Sequence, residues 1–164
     1  MDFRIARPAR DRYGFDESLF SSDGDAIVFE VTEQLAIRFI EDASHIMEAL
    51  MGVGCRFALD DFGTGHSSLA YLKRLPVHTL KVDKSFVTDM DADEDNASIV
   101  LATIDLAHSL GLAVTAEGVE TRPVFEMLWE MGCDCYQGYY VSEPLELKAI
   151  SGWLDSDHMA RQAN

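Results

Sequence analysis

Cys55-Arg-Phe-Ala-Leu-Asp60-Asp61-Phe-Gly-Thr-Gly65-His-Ser-Ser-Leu69 reads as a strand that runs into a loop and then a helix. The apolar stretch up to Asp60 suits a buried strand. Asp61 to Gly65 is expected to be the loop, because Gly63 and Gly65 can take backbone angles closed to other residues. Ser67 and Ser68 are good helix caps. Leu69, Leu72 and Leu75 then form a helical stripe that Pro76 stops.

The same alternation continues on both sides. Upstream, Ala26-Ile-Val-Phe-Glu30 is a short apolar run, followed by a helical period at Ala36, Phe39, Ile40, Ala43, Met47 and Leu50 that Gly52 and Gly54 close. Downstream, Thr79-Leu-Lys-Val-Asp83 is a third strand. The acidic stretch Asp89 to Asp95 is a loop or a helix N-terminus, where negative charge is favoured. Ile99, Val100, Ile104, Ala107 and Leu110 mark a long helix ending at Gly111, and Leu112-Ala-Val-Thr-Ala116 a fourth strand. A helix from Arg122 to Met131 carries Phe125, Leu128 and Trp129, between a Thr121 cap and Gly132. Cys135-Tyr-Gln-Gly-Tyr-Tyr140 is a fifth strand, and Leu147, Ile150 and Leu154 mark a last helix. About five strand–helix units with short links predict a parallel α/β architecture. Periodicity alone fits both an open doubly wound sheet and part of a β/α barrel. The expected organisation is a poorly defined segment over 1–25, a folded body over 26–154 and a tail over 155–164.

The polar residues narrow the choice. Glu30 is placed at the end of the first strand, Asp60 and Asp61 at the second, Lys81 and Asp83 at the third, Glu117 at the fourth, and Gln137 on the fifth. In parallel β/α folds these ends share one face, where barrel active sites are built. Each residue alone has an ordinary explanation. Asp60 and Asp61 suit a turn, Lys81 and Asp83 a surface ion pair, and Glu117 to Glu120 a helix entry. Five successive strand ends with such residues do not. Carboxylates gathered together repel unless a cation resolves them, and oxygen-rich sets suit Mg²⁺, Mn²⁺ or Ca²⁺. Two such ions and a water serve in-line attack on a phosphodiester.

Composition agrees with that class. The 164 residues are 48% hydrophobic and 26% charged, as in an ordinary folded domain, with a formal net charge of -16. Such a surface repels nucleic-acid backbones and anionic lipid. It serves solubility, and some of its carboxylates can gather at a cation site. No apolar run approaches the roughly 20 residues of a membrane span, and the start lacks the apolar core of a signal peptide, so a cytoplasmic location is expected. Cys55, Cys133 and Cys135 are read as buried thiols, since an odd count argues against a disulfide framework.

Asp60-Asp61-Phe-Gly-Thr-Gly-His-Ser-Ser-Leu69 resembles the long loop motif of EAL-domain cyclic di-GMP phosphodiesterases, with His66 where the family usually has Tyr. Glu30-Val-Thr-Glu33 resembles its Glu-x-Thr-Glu element, and Lys81-Val-Asp83 with Lys84-Ser-Phe86 its Lys-x-Asp segment. Ala116-Glu-Gly-Val-Glu-Thr121, and Gln137-Gly138 followed by Pro144, also match. The five motifs run in order across residues 26–154. The resemblance implies a partial TIM-like (β/α) barrel of about five parallel strand–helix units. It also implies hydrolysis of cyclic di-GMP to linear pGpG with two Mg²⁺ or Mn²⁺ ions. It casts Glu30, Asp60, Asp61 and Glu117 as metal ligands, and Lys81 as the residue that orients or deprotonates the attacking water. Asp83 supports the metal centre, Glu117 also assists the base, and Gln137 sits near metal-bound water. Glu33 holds the Asp-Asp loop, and Glu120 acts structurally at the substrate rim.

The chain also departs from the family. A barrel of this kind has roughly 250 residues. The Glu-Ala-Leu signature is read as absent, and no asparagine precedes Asn96. The first barrel strands and two metal ligands are therefore expected to be missing, with impaired turnover. The competing expectation is a catalytically inactive module that binds cyclic di-GMP or a protein. A glycosidase barrel also uses paired carboxylates, but the strand-end lysine and the number of acids disfavour it. A part-built barrel exposes apolar surface and two strand edges. Residues 1–25, a second copy or a partner are expected to cover them, with self-association the favoured outcome.

Overall fold

The computed structural model describes residues 7–8, 28–52, 54–63, 69–146, 148–149 and 152–153. Its centre is a sheet of six strands: β1 (Arg7–Pro8), β2 (Val28–Thr32), β3 (Arg56–Phe62), β4 (Thr79–Val82), β5 (Ala113–Glu117) and β6 (Cys135–Gln137). The spatial order is β1-β6-β5-β4-β3-β2. The five strands β2 to β6 are parallel and in sequence order, while β1 runs antiparallel to β6. Helices occupy the links: α1 (Glu33–Arg38) and α2 (Ile40–Met51) after β2, then α3 (Leu69–Leu72) after β3. α4 (Lys84–Val87) and α5 (Glu94–Ser109) follow β4, and α6 (Arg122–Glu130) follows β5. This is the parallel α/β architecture that the alternation predicts, and it fits the partial barrel that the resemblance implies.

Register explains the two faces of the sheet. Leu59 pairs with Leu80, and Leu80 with Val114, and all three are fully buried. With Val82, Ala116 and Tyr136 they form the face under the helices. α5 packs Val100, Thr103, Ile104 and Ala107 into that layer, at the spacing of one helical face. α6 adds Val124 and Leu128. Alternate residues point the other way. Glu30 pairs with Ala58, Ala58 with Thr79, Lys81 with Thr115, and Glu117 with Gln137. Parity along each strand then puts Glu30, Asp60, Lys81, Glu117 and Gln137 on one face.

Local signals set most boundaries. Asp93 caps α5 by accepting from the Asp95 and Asn96 amides, and Thr121 caps α6 by accepting from the Val124 amide. Three expectations shift. The upstream helical period is two helices, broken at Phe39 (φ -129°, ψ 42°), although Ala36 and Met47, three turns apart, still share the buried side. The first strand is Val28–Thr32, so Glu30 lies in its middle rather than at its end. The second strand continues through Asp61 to Phe62, where a loop is expected. The last helix falls on Leu147, Ile150 and Leu154, outside the described residues, as do most of 1–25 and all of 155–164.

The two sheet edges differ. Arg7 and Pro8 pair with Tyr136 and Cys135, so these two residues occupy the β6 edge. At the other edge β2 exposes Val28 (52%) and Phe29 (40%), and Phe29 stacks on Phe57 at 5.6 Å. No described helix is long and apolar enough to cross a membrane.

Candidate active site

Lys81 is the centre of the polar face. Its side chain is only 3% exposed, and its Nζ lies 2.8 Å from Glu30 Oε1, 3.3 Å from Asp60 Oδ1 and 2.7 Å from Glu117 Oε1. Burial alone would lower the lysine's pKa. Hydrogen bonding and charge from Glu117 and Glu30 outweigh it and hold the pKa above the ordinary value. Lys81 is therefore an ammonium at neutral pH. Residues from four adjacent strands converge here, as their positions on a parallel sheet predict.

Asp61 joins them through a backbone irregularity. Strict alternation would turn it toward the helices. Instead the β3–β4 register shifts between Leu59 and Phe62, and Asp61 takes φ 59°. Phe62 pairs with Val82 and stays with the buried layer, three residues beyond Leu59 rather than two. The inserted residue lets both aspartates serve the polar side. Asp60 Oδ1 accepts from the Asp61 amide at 3.1 Å. Burial, with the neighbouring charges of Asp60 and Asp83, raises the Asp61 pKa despite the opposing effect of Lys81.

Asp83 caps α4 and accepts from the Ser85 amide at 2.9 Å. Burial works against its ionisation, yet the Ser85 hydrogen bonds and Lys84 leave its pKa lowered. Glu33 is 2% exposed. Its Oε2 accepts from the Gly63 amide at 3.3 Å and its Oε1 from the Tyr71 hydroxyl. Glu117, Glu120 and Gln137 line an open cavity of about 220 Å³ with Lys84, Gly118, Gly138, Tyr139, Ser142 and Pro144. Glycine is required on that wall. A Cβ on Gly138 would meet Val119 O at 2.2 Å, and one on Gly118 (φ 72°) would meet Lys84 Cβ at 2.6 Å. Tyr71 and Tyr139 escape the sequence reading. Tyr71 is 38 residues from Glu33, beyond any local spacing rule, and Tyr139 falls in what reads as strand.

A Glu-Ala-Leu tripeptide does occur, at Glu48–Leu50, which corrects the reading that these residues are absent. It lies in the last turns of α2 with Glu48 exposed. α2 leads into the N-terminal end of β3, the end opposite Asp60, so this tripeptide is remote from Lys81.

The donor set fits a hard divalent cation in chemistry: carboxylate oxygens from three strands gathered around one ammonium. Among the described residues, no group of three His, Cys, Asp or Glu side chains is arranged to hold a metal ion. Glu30, Asp60 and Glu117 are drawn onto Lys81 instead.

Comparison with known proteins identifies the family. The sequence model of the EAL domain matches residues 17–144. The cyclic di-GMP phosphodiesterase NbdA of Pseudomonas aeruginosa is 45% identical over 125 residues, 76% of this chain and 16% of that one. The PaMucR phosphodiesterase in complex with c-di-GMP superposes with a TM-score of 0.71 at 41% identity, over 75% of this chain and 50% of that one. Klebsiella pneumoniae BlrP1, solved as a manganese/cy-diGMP complex, gives 0.66 at 34% identity, over 71% and 30%. The chain spans between 14% and 24% of the length of its curated relatives. With acids and one lysine on neighbouring parallel strands, and a family match over most of its length, this chain belongs to the EAL domain family.

Proposed function

We propose that the chain is a cyclic di-GMP phosphodiesterase domain, hydrolysing the cyclic dinucleotide to linear pGpG with Mg²⁺ or Mn²⁺. The observation that carries this reading is the buried Lys81 ammonium among Glu30, Asp60 and Glu117, on the polar face of a parallel sheet. Glu30, Asp60, Asp61 and Glu117 would hold the ions. When bound, such ions polarise a phosphoryl oxygen and acidify a water. Lys81, within 3.3 Å of three of these carboxylates, would orient or deprotonate the attacking water. Asp83 keeps negative charge beside Asp61. Gln137 presents its amide next to Glu117, and Glu120 shapes the rim. Glu33 fixes the loop after the aspartates through the Gly63 amide.

The test is hydrolysis of cyclic di-GMP by the purified chain in excess Mn²⁺. Slow turnover that a chelator abolishes supports the reading. No turnover by the folded chain at any Mn²⁺ concentration refutes catalysis. A second reading is binding without turnover, in which Glu30, Asp60 and Glu117 stay paired with Lys81. Calorimetry with cyclic di-GMP separates the two. We further propose that residues 26–154 form the functional body, that it works in the cytoplasm, and that copies associate through the β2 edge at Val28 and Phe29. A monomer in light scattering at all concentrations counts against association.

A further inference from the structure

Glu33 follows Thr32, which pairs with Asp60, so α1 starts beside the end of β3. A carboxylate as buried as that of Glu33 needs hydrogen-bond donors. The Gly63 amide supplies one to Oε2, at 3.3 Å, and the Tyr71 hydroxyl supplies another to Oε1. Tyr71 is itself buried, and its ring belongs to the core with Leu72 and Leu75. Its carbonyl accepts from the Arg74 amide at 2.8 Å, which holds the end of α3. A phenylalanine would fill the same space in the core. The hydroxyl adds something that packing does not need: it fixes one oxygen of the carboxylate whose other oxygen holds Gly63.

Gly63 in turn bears on the aspartates. Asp61 (φ 59°) and Gly63 (φ 96°) are both left-handed, on either side of Phe62. A residue other than glycine keeps such a backbone only where its surroundings over-determine it. Phe62 is anchored by its pairing with Val82. Gly63 is clamped: Glu33 holds its amide, and the Phe86 ring lies where an added Cβ would meet it at 3.3 Å. Loosening the Glu33 carboxylate opens one jaw of this clamp, two residues from Asp61. We propose that Tyr71 is a positioning residue of the site, acting through Glu33 and Gly63 to keep Asp60 and Asp61 together on the Lys81 side. Its bearing on Mn²⁺ rests on the metal-dependent reading above, whereas its hold on Gly63 does not.

Tyr71→Phe removes the hydroxyl and keeps the ring. Amide hydrogen exchange and calorimetric titration with Mn²⁺, both on the full chain, test the proposal. Loss of one hydrogen bond to a charged acceptor predicts Gly63 exchange faster by about 10-fold or more. Removing a group that orients metal ligands from behind costs about 10- to 100-fold in metal affinity. Tyr71 stands one step further back, so Mn²⁺ affinity should fall by about 10-fold, the lower end of that range. Ile104→Val, a packing change at a fully buried position of α5, lowers stability by another route and should leave both readouts within about twofold of the parent. Both readouts unmoved by Tyr71→Phe overturn the proposal and leave Tyr71 an ordinary core residue. Ile104→Val matching Tyr71→Phe overturns it too, because the effect is then general destabilisation. Faster Gly63 exchange with unchanged Mn²⁺ affinity overturns it as well, since Tyr71 then holds Gly63 without positioning the acids. A parent chain that binds no Mn²⁺ removes the metal-dependent reading instead, and Gly63 exchange alone then decides the role of Tyr71.

Discussion

Replacing Lys81 with methionine keeps the length of the side chain and removes its charge. Glu30, Asp60 and Glu117 then face one another with no ammonium between them. Their side chains are 44%, 21% and 12% exposed, against 3% for Lys81. Breaking a buried pair by removing one partner costs about 3–5 kcal/mol. The partial exposure of Glu30 and Asp60 lets water screen them, so the lower end, about 3 kcal/mol, applies. For a chain of this size that corresponds to a fall of about 6–12 °C in Tm. The pH dependence has a definite sign. A folded pKa held above the ordinary 10.5 means the stabilisation is complete below about pH 10 and fades as pH rises through the folded value. The gap between parent and Lys81→Met should therefore be constant from neutral pH to about pH 10 and close only beyond it. Urea denaturation of both proteins at several pH values measures this. A gap below about 1 kcal/mol at pH 7, or one that closes near pH 8, refutes the argument that Lys81 is the buried counter-charge. Excess Mn²⁺ should narrow the gap as well, because a divalent cation can take over that role among the same carboxylates.

Three further outcomes are expected. Gly138→Ala should cost about 2–3 kcal/mol by overpacking, because its Cβ would lie 2.2 Å from Val119 O; an unchanged Tm would show that the turn is not tightly held. Asp61→Asn should lose Mn²⁺-dependent hydrolysis while keeping or slightly raising Tm at pH 7. Asn tolerates φ 59°, and the parent acid, its pKa raised, is least comfortable when ionised; the Tm difference should shrink as pH falls below the folded pKa, and a clear Tm loss at pH 7 would contradict this. Burial raises the Cys135 thiol to about 12 and pushes Cys133 up further, whereas Cys55 is only partly buried. A thiol reagent at pH 8 should therefore label one cysteine quickly in the native protein and all three only in urea.

The polar residues of the site were legible because each stands near the end of a short apolar run, and a run of that kind with glycine and helical period after it reads as a strand entering a β/α link. Glu33 was legible only as part of a motif. Its partners, the Gly63 amide and Tyr71, lie 30 and 38 residues away, and no local period carries such a distance. The break at Phe39 was hidden for a related reason: Ala36 and Met47 remain on one side across it, so the hydrophobic period runs through as if the helix were continuous. Tyr139 reads as strand because the aromatic residues after Gln137 have strong β-propensity. Packing of Gly138 against Val119 ends the strand first.

The paired aspartates show most clearly why spacing and structure must be read together. Two adjacent residues on a strand point to opposite faces, so Asp60-Asp61 on a regular β3 would give one carboxylate to the site and bury the other under the helices. An unpaired carboxylate in that apolar layer would cost more than the strand's ladder could return. The fold avoids this by inserting one residue between Leu59 and Phe62 and accepting the left-handed backbone at Asp61. Glu33 then receives the loop immediately afterwards, at the Gly63 amide. The bulge, the positive φ and the buried glutamate are therefore parts of one device, which keeps both acids on the Lys81 side. Its strength can be judged from Asp61, where burial and the charges of Asp60 and Asp83 outweigh the pull of Lys81. The strand irregularity sets two adjacent carboxylates on the side of a single ammonium, and a divalent ion is the species that would relieve their mutual repulsion.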